Sequence, residues 1–181
     1  MIGTRRPKIN FDGLKELFWS DHKVFLKNQW RLIEGKLSER CLCGALMYEL
    51  NKQLEIKGYN DYYADVEFNK IGKKGKCIKQ LPDNKGTPER IFTDIIVHSR
   101  GQASPDNLIA FEMKKSSAKK LSRENDRERL MQLTKQDAVF NNRYIYRYKL
   151  GIYYEIDLKN EEILVEFYQD GSKVEEKVSK F

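Results

Sequence analysis

Arg90–His98 reads RIFTDIIVH and, after the polar turn SRGQASPDN (99–107), Leu108–Lys114 reads LIAFEMK. Both segments are apolar enough to be strands, and both carry charge inside the apolar run. Side chains alternate along a strand, so Glu112 and Lys114 share one face while Phe111 and Met113 take the other. Asp94, in the earlier segment, is flanked by Phe92, Ile95, Ile96 and Val97. If the two strands pair, Asp94 comes to lie beside Glu112. Two neighbouring carboxylates repel unless something cationic lies between them, and burying them unpaired is costly. A divalent metal and a nearby ammonium would answer both demands.

The string alone carries no weight. An acid two residues before a Lys occurs seven times, at Asp21, Glu34, Glu55, Asp83, Glu112, Asp157 and Glu175. Only Glu112 lies in an apolar strand that follows another apolar strand with its own acid. The helix expected over Ser38–Lys57, opened by Ser38 and closed by Gly58, adds an independent hint. At about 100° per residue, Leu46 and Leu50 fall within about 20° of Glu39, whereas Glu49 sits about 80° away at the edge of the apolar face. Leu42 and Cys43 flank the same stripe. Glu39 therefore points toward the sheet and reads as a further metal ligand, direct or through water. The plainer reading is a first-turn acid favoured by the helix dipole.

Outward from this centre, residues 12–35 read as helix with a break near Ser20-Asp21, and Tyr62–Phe68 as a strand. Residues 69–89 hold three glycines, two prolines and many lysines and read as a loop. Ser122–Asn141 returns to helix. Tyr144–Asp157 alternates cleanly, which puts Tyr144, Tyr146, Tyr148, Leu150, Ile152, Tyr154 and Ile156 on one face. A turn at Lys159-Asn160 leads to Glu162–Tyr168 as its hairpin partner. The order is that of an α/β unit around a central mixed sheet flanked by helices, with extra N-terminal helices. No internal repeat or composition break divides it, so residues 1–181 read as one domain: a core over 38–157, a helical extension over 1–37, and a C-terminal strand with an acidic tail over 158–181.

The chain has 181 residues, 34% of them charged, with 34 basic against 27 acidic side chains and a net charge of +7. That length holds a core without staples, and the composition is neither disordered nor collagenous. No apolar run approaches a membrane span. The N-terminal MIGTRRPKINFDG has no apolar segment behind it, so no secretory signal is expected and a cytoplasmic home is. Three cysteines are an odd count that argues against a disulfide framework, and no second Cys/His pair completes a zinc site beside Cys41 and Cys43. Residues 151–181 carry a net −4, which leaves +11 on 1–150. The densest basic stretch is Lys114–Lys135. An anionic partner, nucleic acid first, competes there with a solvated helix face laced with ion pairs.

TDIIVH (Thr93–His98) followed by NLIAFEMKKS (Asn107–Ser116) resembles the signature of the PD-(D/E)XK nuclease superfamily, with Thr93 in place of the usual proline. SERCLCGALMYEL (Ser38–Leu50) resembles the acid-bearing first core helix of that family. DVEFNK (Asp65–Lys70) and DRERLMQLT (Asp126–Thr134) resemble stretches of uncharacterised bacterial members. The likeness covers roughly residues 38–157. It implies a restriction-endonuclease-like αβββαβ core and magnesium-dependent hydrolysis of phosphodiester bonds, in DNA before RNA, as in a restriction or defence component. On that resemblance Asp94, Glu112, the Met113 carbonyl and Glu39 hold one or two Mg²⁺ ions, with Mn²⁺ as a substitute. Lys114 orients the attacking water. Homodimers or a partner protein that supplies target recognition are common company for such a domain.

Other residues have lesser claims. Lys115, Lys119, Lys120, Arg123 and Arg127 could contact a phosphate backbone. Lys73, Lys74, Lys76 and Lys79 could close over a duplex. Asp65 and Glu67 share a face that could join the acids. Tyr144, Tyr146 and Tyr148 read as core before they read as base-stacking residues, and His98 as a hydrogen-bonded structural residue. The alternative to an enzyme is a catalytically silent nucleic-acid-binding module or a subunit of a larger nucleic-acid-processing assembly.

Overall fold

The computed structural model describes residues 7–66, 93–136 and 146–181, with the backbone of four short strand pieces between 70 and 90. Its elements are α1 (Phe11–Glu34), α2 (Glu39–Ile56), β1 (Tyr63–Val66), β2 (Lys70–Ile71), β3 (Lys74–Gly75), β4 (Cys77–Ile78), β5 (Glu89–Arg90), β6 (Ile95–His98), β7 (Asn107–Lys115), α3 (Lys120–Thr134), β8 (Leu150–Asp157), β9 (Glu162–Gln169) and β10 (Ser172–Lys180). Six of the strands form one mixed sheet in the order β1-β6-β7-β8-β9-β10. All neighbours are antiparallel except β7 and β8, which run parallel and are joined through α3. The chain is thus α/β, with the basic helix α3 as the crossover between the parallel strands.

One face of the sheet is dry. Helix α1, capped by the Asn10 side chain accepting from Gly13 N at 2.9 Å, lays Leu14, Leu17, Phe18 and Phe25 on it. Helix α2, capped by Ser38, adds Leu42, Leu46, Leu50 and Leu54, a four-residue repeat along one stripe. These meet Ile95, Val97, Ile109, Phe111, Met113, Ile152, Tyr154, Val165 and Phe167 from the strands. Phe18 is the hub, with ring centroids 5.7 Å from Phe167 and 6.1 Å from Phe111. On the other face Leu130 and Leu133 of α3 pack with Ile96, Ala110, Tyr146, Tyr148, Tyr153 and Tyr168. Here α3 comes very close. A Cβ on Gly151 would lie 3.0 Å from both Thr134 Cγ2 and Tyr168 Cβ.

Several sequence expectations need correction. Helix α1 is unbroken: Ser20 Oγ bonds back to the Glu16 carbonyl and Asp21 is buried within the helix rather than capping a second one. Strand β6 begins at Ile95, which leaves Asp94 at a bend just before it. The segment read as a loop contains two short antiparallel ladders, β2 with β3 and β4 with β5. Helix α3 starts at Lys120 and ends at Thr134, and residues 137–141 of the expected helix lie outside the described residues. Strand β8 starts at Leu150, and Arg147, with φ of 50°, interrupts the extended run before it. Tyr146 and Tyr148 therefore pack under α3, away from the face of Leu150, Ile152 and Tyr154, though both are core residues. The acidic tail is strand β10, turned back from β9 at Asp170-Gly171, where φ is positive at both residues as a tight hairpin turn requires. Glu67, Lys73, Lys76, Lys79 and Tyr144 lie outside the described residues, as does the side chain of Lys74.

A buried acid pair stands between α1 and α2. Asp21 is 0% exposed and neither carboxyl oxygen has a hydrogen-bond partner. Glu49 beside it accepts from Gln29 Nε2 at 2.9 Å and Asn28 Nδ2 at 3.3 Å through one oxygen only. Burial, then the charge of Glu49, pushes the Asp21 carboxyl up to about 8 from 3.8. The folded chain thus keeps a proton that the unfolded chain releases above pH 4. Stability from this group is full below about pH 4 and is lost as pH rises through about 8. Asp21→Asn is expected to flatten that decline, with a gain over the parent on the order of a few kcal/mol at pH 8 that shrinks toward pH 4, read by urea melts across the range. At the α3 contact, Gly151→Ala is expected to cost about 1–3 kcal/mol by the same melts, because two packed neighbours must give way.

Candidate active site: an acidic pair beneath helix α3

The site grows from the register of β6 on β7. Ile95 pairs with Phe111 and Ile96 with Ala110, so Asp94, the residue just before β6, comes to lie beside Glu112. The spacing of the two sequence segments anticipates this juxtaposition. Asp94 Oδ2 accepts from the Met113 backbone N at 2.8 Å, which fixes the carboxyl against the strand. Glu112 is 1% exposed, on the sheet face that α3 covers. The Met113 side chain points the other way, to Cys43 Sγ at 3.8 Å.

Two cations answer these acids. Arg129 Nη1 donates to Glu112 Oε1 at 2.8 Å and to Asp126 Oδ1, one helical turn back, at 3.0 Å. Lys114 Nζ lies 3.1 Å from Asp126 Oδ2, 3.6 Å from Glu39 Oε2 and 3.3 Å from the Met113 carbonyl oxygen. Glu39 also accepts from the Lys115 backbone N at 2.9 Å, which ties the start of α2 to the end of β7. The structure therefore brings Glu39, Asp94, Glu112, Met113 and Lys114 into one connected group and adds Asp126 and Arg129. Four carboxyls face two cations, a formal excess of two negative charges.

That imbalance appears in the proton affinities. Burial first, then the charge of Asp94, raises Glu112 well above the usual carboxylate range, against the pull of Arg129. Burial likewise raises Asp94, although its bond from Met113 N and the charge of Lys114 oppose the rise. Burial alone would lower Lys114, but Asp126, Asp94 and Glu39 outweigh it and hold the ammonium charged. A divalent cation beside Asp94 and Glu112 would offset the burial that raises both carboxyls and the Asp94 charge that further raises Glu112. Among the described residues no group of three or more His, Cys, Asp and Glu side chains is arranged to hold a metal ion. The hard oxygens of two carboxylates and a carbonyl nonetheless suit Mg²⁺, which keeps several waters and is bound through one or two carboxylates.

The basic residues divide into two kinds. Arg123 Nη1 donates to Glu155 Oε1 at 2.9 Å and Arg127 Nε to Glu166 Oε2 at 2.8 Å. Tyr153 and Tyr168 hydroxyls donate to the same two acids at 2.6 Å, and the Arg127 guanidinium lies 4.0 Å from the Tyr153 ring centroid. These two arginines lock α3 onto the sheet. Lys119 and Lys120 are exposed, Lys120 with only a loose pair to Glu124 at 3.7 Å, while Lys115 Nζ donates to the Lys36 carbonyl at 3.1 Å. Asp65 belongs elsewhere. It is held by Arg100 at 2.7 and 2.9 Å and by His98 Nε2 at 2.9 Å, and although burial pushes its carboxyl up, those partners hold it below the usual range.

Asp126 and Arg129 escaped the sequence reading, and of the two only Asp126 carried a signal. Asp126 falls about 40° from Leu130 and about 20° from Leu133 on a helical wheel, on the buried stripe of α3, as Glu39 does on α2. Comparison with protein-family models, curated proteins and solved structures finds no match to this chain. Among the described residues no helix is long and apolar enough to cross a membrane.

Arg127→Ala is expected to lower stability by about 3 kcal/mol, since Glu166 is left buried without its guanidinium. Lys119→Ala and Lys120→Ala are expected to stay within about 0.5 kcal/mol of the parent. Thermal melts of the three variants separate the structural cations from the exposed ones.

Proposed function

We propose that this chain is a divalent-metal-dependent nuclease of the PD-(D/E)XK type that hydrolyses phosphodiester bonds, with DNA as the favoured substrate. The observation that carries the reading is the side-by-side placement of Asp94 and Glu112, with Lys114 on the same face of β7 and a net negative charge around them. The element order α2-β1-β6-β7-α3-β8 and the single parallel pair agree with an αβββαβ core, which supports the restriction-endonuclease-like reading of the fold.

Asp94 and Glu112, with the Met113 carbonyl, would hold the ion, and Glu39 would support Lys114 from α2. A bound Mg²⁺ would supply an acidified water and offset charge on the scissile phosphate. Lys114, kept protonated by its acids, would orient the attacking water or donate a hydrogen bond to a phosphate oxygen as charge builds there. Exposed Lys119 and Lys120, at the N-terminus of α3, would steer the phosphate backbone and give binding a strong salt dependence.

A second reading is favoured by one observation: Arg129 and Lys114 already neutralise much of the acidic group, as in a nuclease-like domain that only binds nucleic acid. Purified protein is to be incubated with circular, linear and single-stranded DNA and with RNA, in Mg²⁺, Mn²⁺ or EDTA. Cleavage that needs the metal and falls at least about a hundredfold in Glu112→Gln and Lys114→Ala is expected. Full cleavage by both folded variants would remove the assignment, and salt-sensitive binding without cleavage would favour the silent module.

A further inference from the structure

We propose that Arg129 is the resident counter-cation of the acidic pair: its guanidinium holds Glu112 and yields that carboxylate to an incoming divalent cation. The proposal rests on the nuclease reading above and names a residue that controls its metal site.

The geometry of one nitrogen carries the argument. Arg129 Nη1 bridges Glu112 Oε1 and Asp126 Oδ1 at 2.8 and 3.0 Å, so a single positive centre serves two carboxylates. Glu112 is almost wholly enclosed, and a carboxylate there requires a positive partner. Asp94, its neighbour across the strands, has its Oδ2 on the Met113 backbone N, a neutral donor. A divalent ion between Asp94 and Glu112 brings two positive charges to the place where Arg129 supplies one, and the guanidinium then becomes a like-charge neighbour.

The surroundings permit the exchange. The Arg129 side chain is 27% exposed, whereas the acids it bridges are 1% and 5% exposed, so its outer part already reaches solvent. Asp126 is not stranded when Arg129 leaves, because Lys114 Nζ holds its other oxygen at 3.1 Å. Helix α3 need not move, since it stays fastened through Arg123 and Arg127 to Glu155 and Glu166. Once released, a guanidinium at the mouth of the site has the planar, two-pronged shape that suits a phosphate. Arg129 is thus a positioning residue for Glu112 in one state, and its cost to metal binding is the energy of the contact it must give up.

The test is calorimetric titration of the full chain with MnCl₂ and MgCl₂, for the parent, Arg129→Gln, Arg129→Lys and Asp94→Asn. Arg129→Gln is expected to bind the ion about tenfold tighter or more, Arg129→Lys to stay closer to the parent, and Asp94→Asn to lose the site. A folded Arg129→Gln that binds no tighter than the parent overturns the proposal and leaves the nuclease reading standing. No binding by either the parent or Arg129→Gln overturns both. If Arg129→Gln does not fold, the parent itself decides: the Arg129 Nε–Hε resonance, assigned by its loss in Arg129→Lys, is expected to shift on Mg²⁺ titration. An unchanged resonance while Mg²⁺ binds overturns the exchange.

Discussion

An ionisable carboxyl in the middle of a sheet cannot be left to itself, and Glu112 imposes that condition on everything packed over β7. A strand surrounded by apolar neighbours on one face and by a covering helix on the other gives the side chain no water to turn to. The helix above must bring charge, and α3 does: Arg129 for Glu112, Arg123 for Glu155, Arg127 for Glu166. The two faces of the same sheet are consequently held by different forces. Helices α1 and α2 adhere through leucines and aromatic rings. Helix α3 adheres through Leu130 and Leu133 and a row of ion pairs, several of them shared with tyrosine hydroxyls.

This arrangement qualifies what a basic count means. Summed along the chain, Lys114–Lys135 looks like a patch prepared for an anion. In three dimensions Lys114, Arg123, Arg127 and Arg129 all face carboxylates brought from β7, β8, β9 or α3 itself. Among the described residues of that stretch, Lys119 and Lys120 are the exposed cations, Lys120 only loosely paired to Glu124, which narrows the surface there on which a phosphate backbone could lie.

The parts legible in the sequence were those whose signal is local and periodic. The stripe of Leu42, Leu46 and Leu50 announced α2 and aimed Glu39 at the sheet, and the alternation around Glu112 told which residues share its face. The register that unites Asp94 with Glu112 followed from two strands joined by one turn. Less legible were features set by a single backbone angle or by distant partners. Arg147 in a left-handed conformation turns Tyr146 and Tyr148 to the opposite layer, which no alternation rule detects. Strand β10 is exposed along nearly its whole length and mostly polar, so its composition resembles a tail, and only the Asp170-Gly171 turn betrays it. Arg129 carried no mark at all, because its meaning depends on a glutamate seventeen residues earlier.

The lone parallel pair in the sheet also has a consequence in time. Strands β6 and β7 meet across a short turn, and β8, β9 and β10 form a meander, so each group can assemble from near neighbours in the chain. Joining β7 to β8 requires closing the long connection that contains α3, and such closures are the slow events of folding. Until that step Glu112 lacks Tyr153 as its neighbour in the sheet. The two acids thus meet early, across the β6–β7 turn, and their enclosure is finished when β8 joins, an order that pulse-labelled amide exchange in β7 and β8 reads directly.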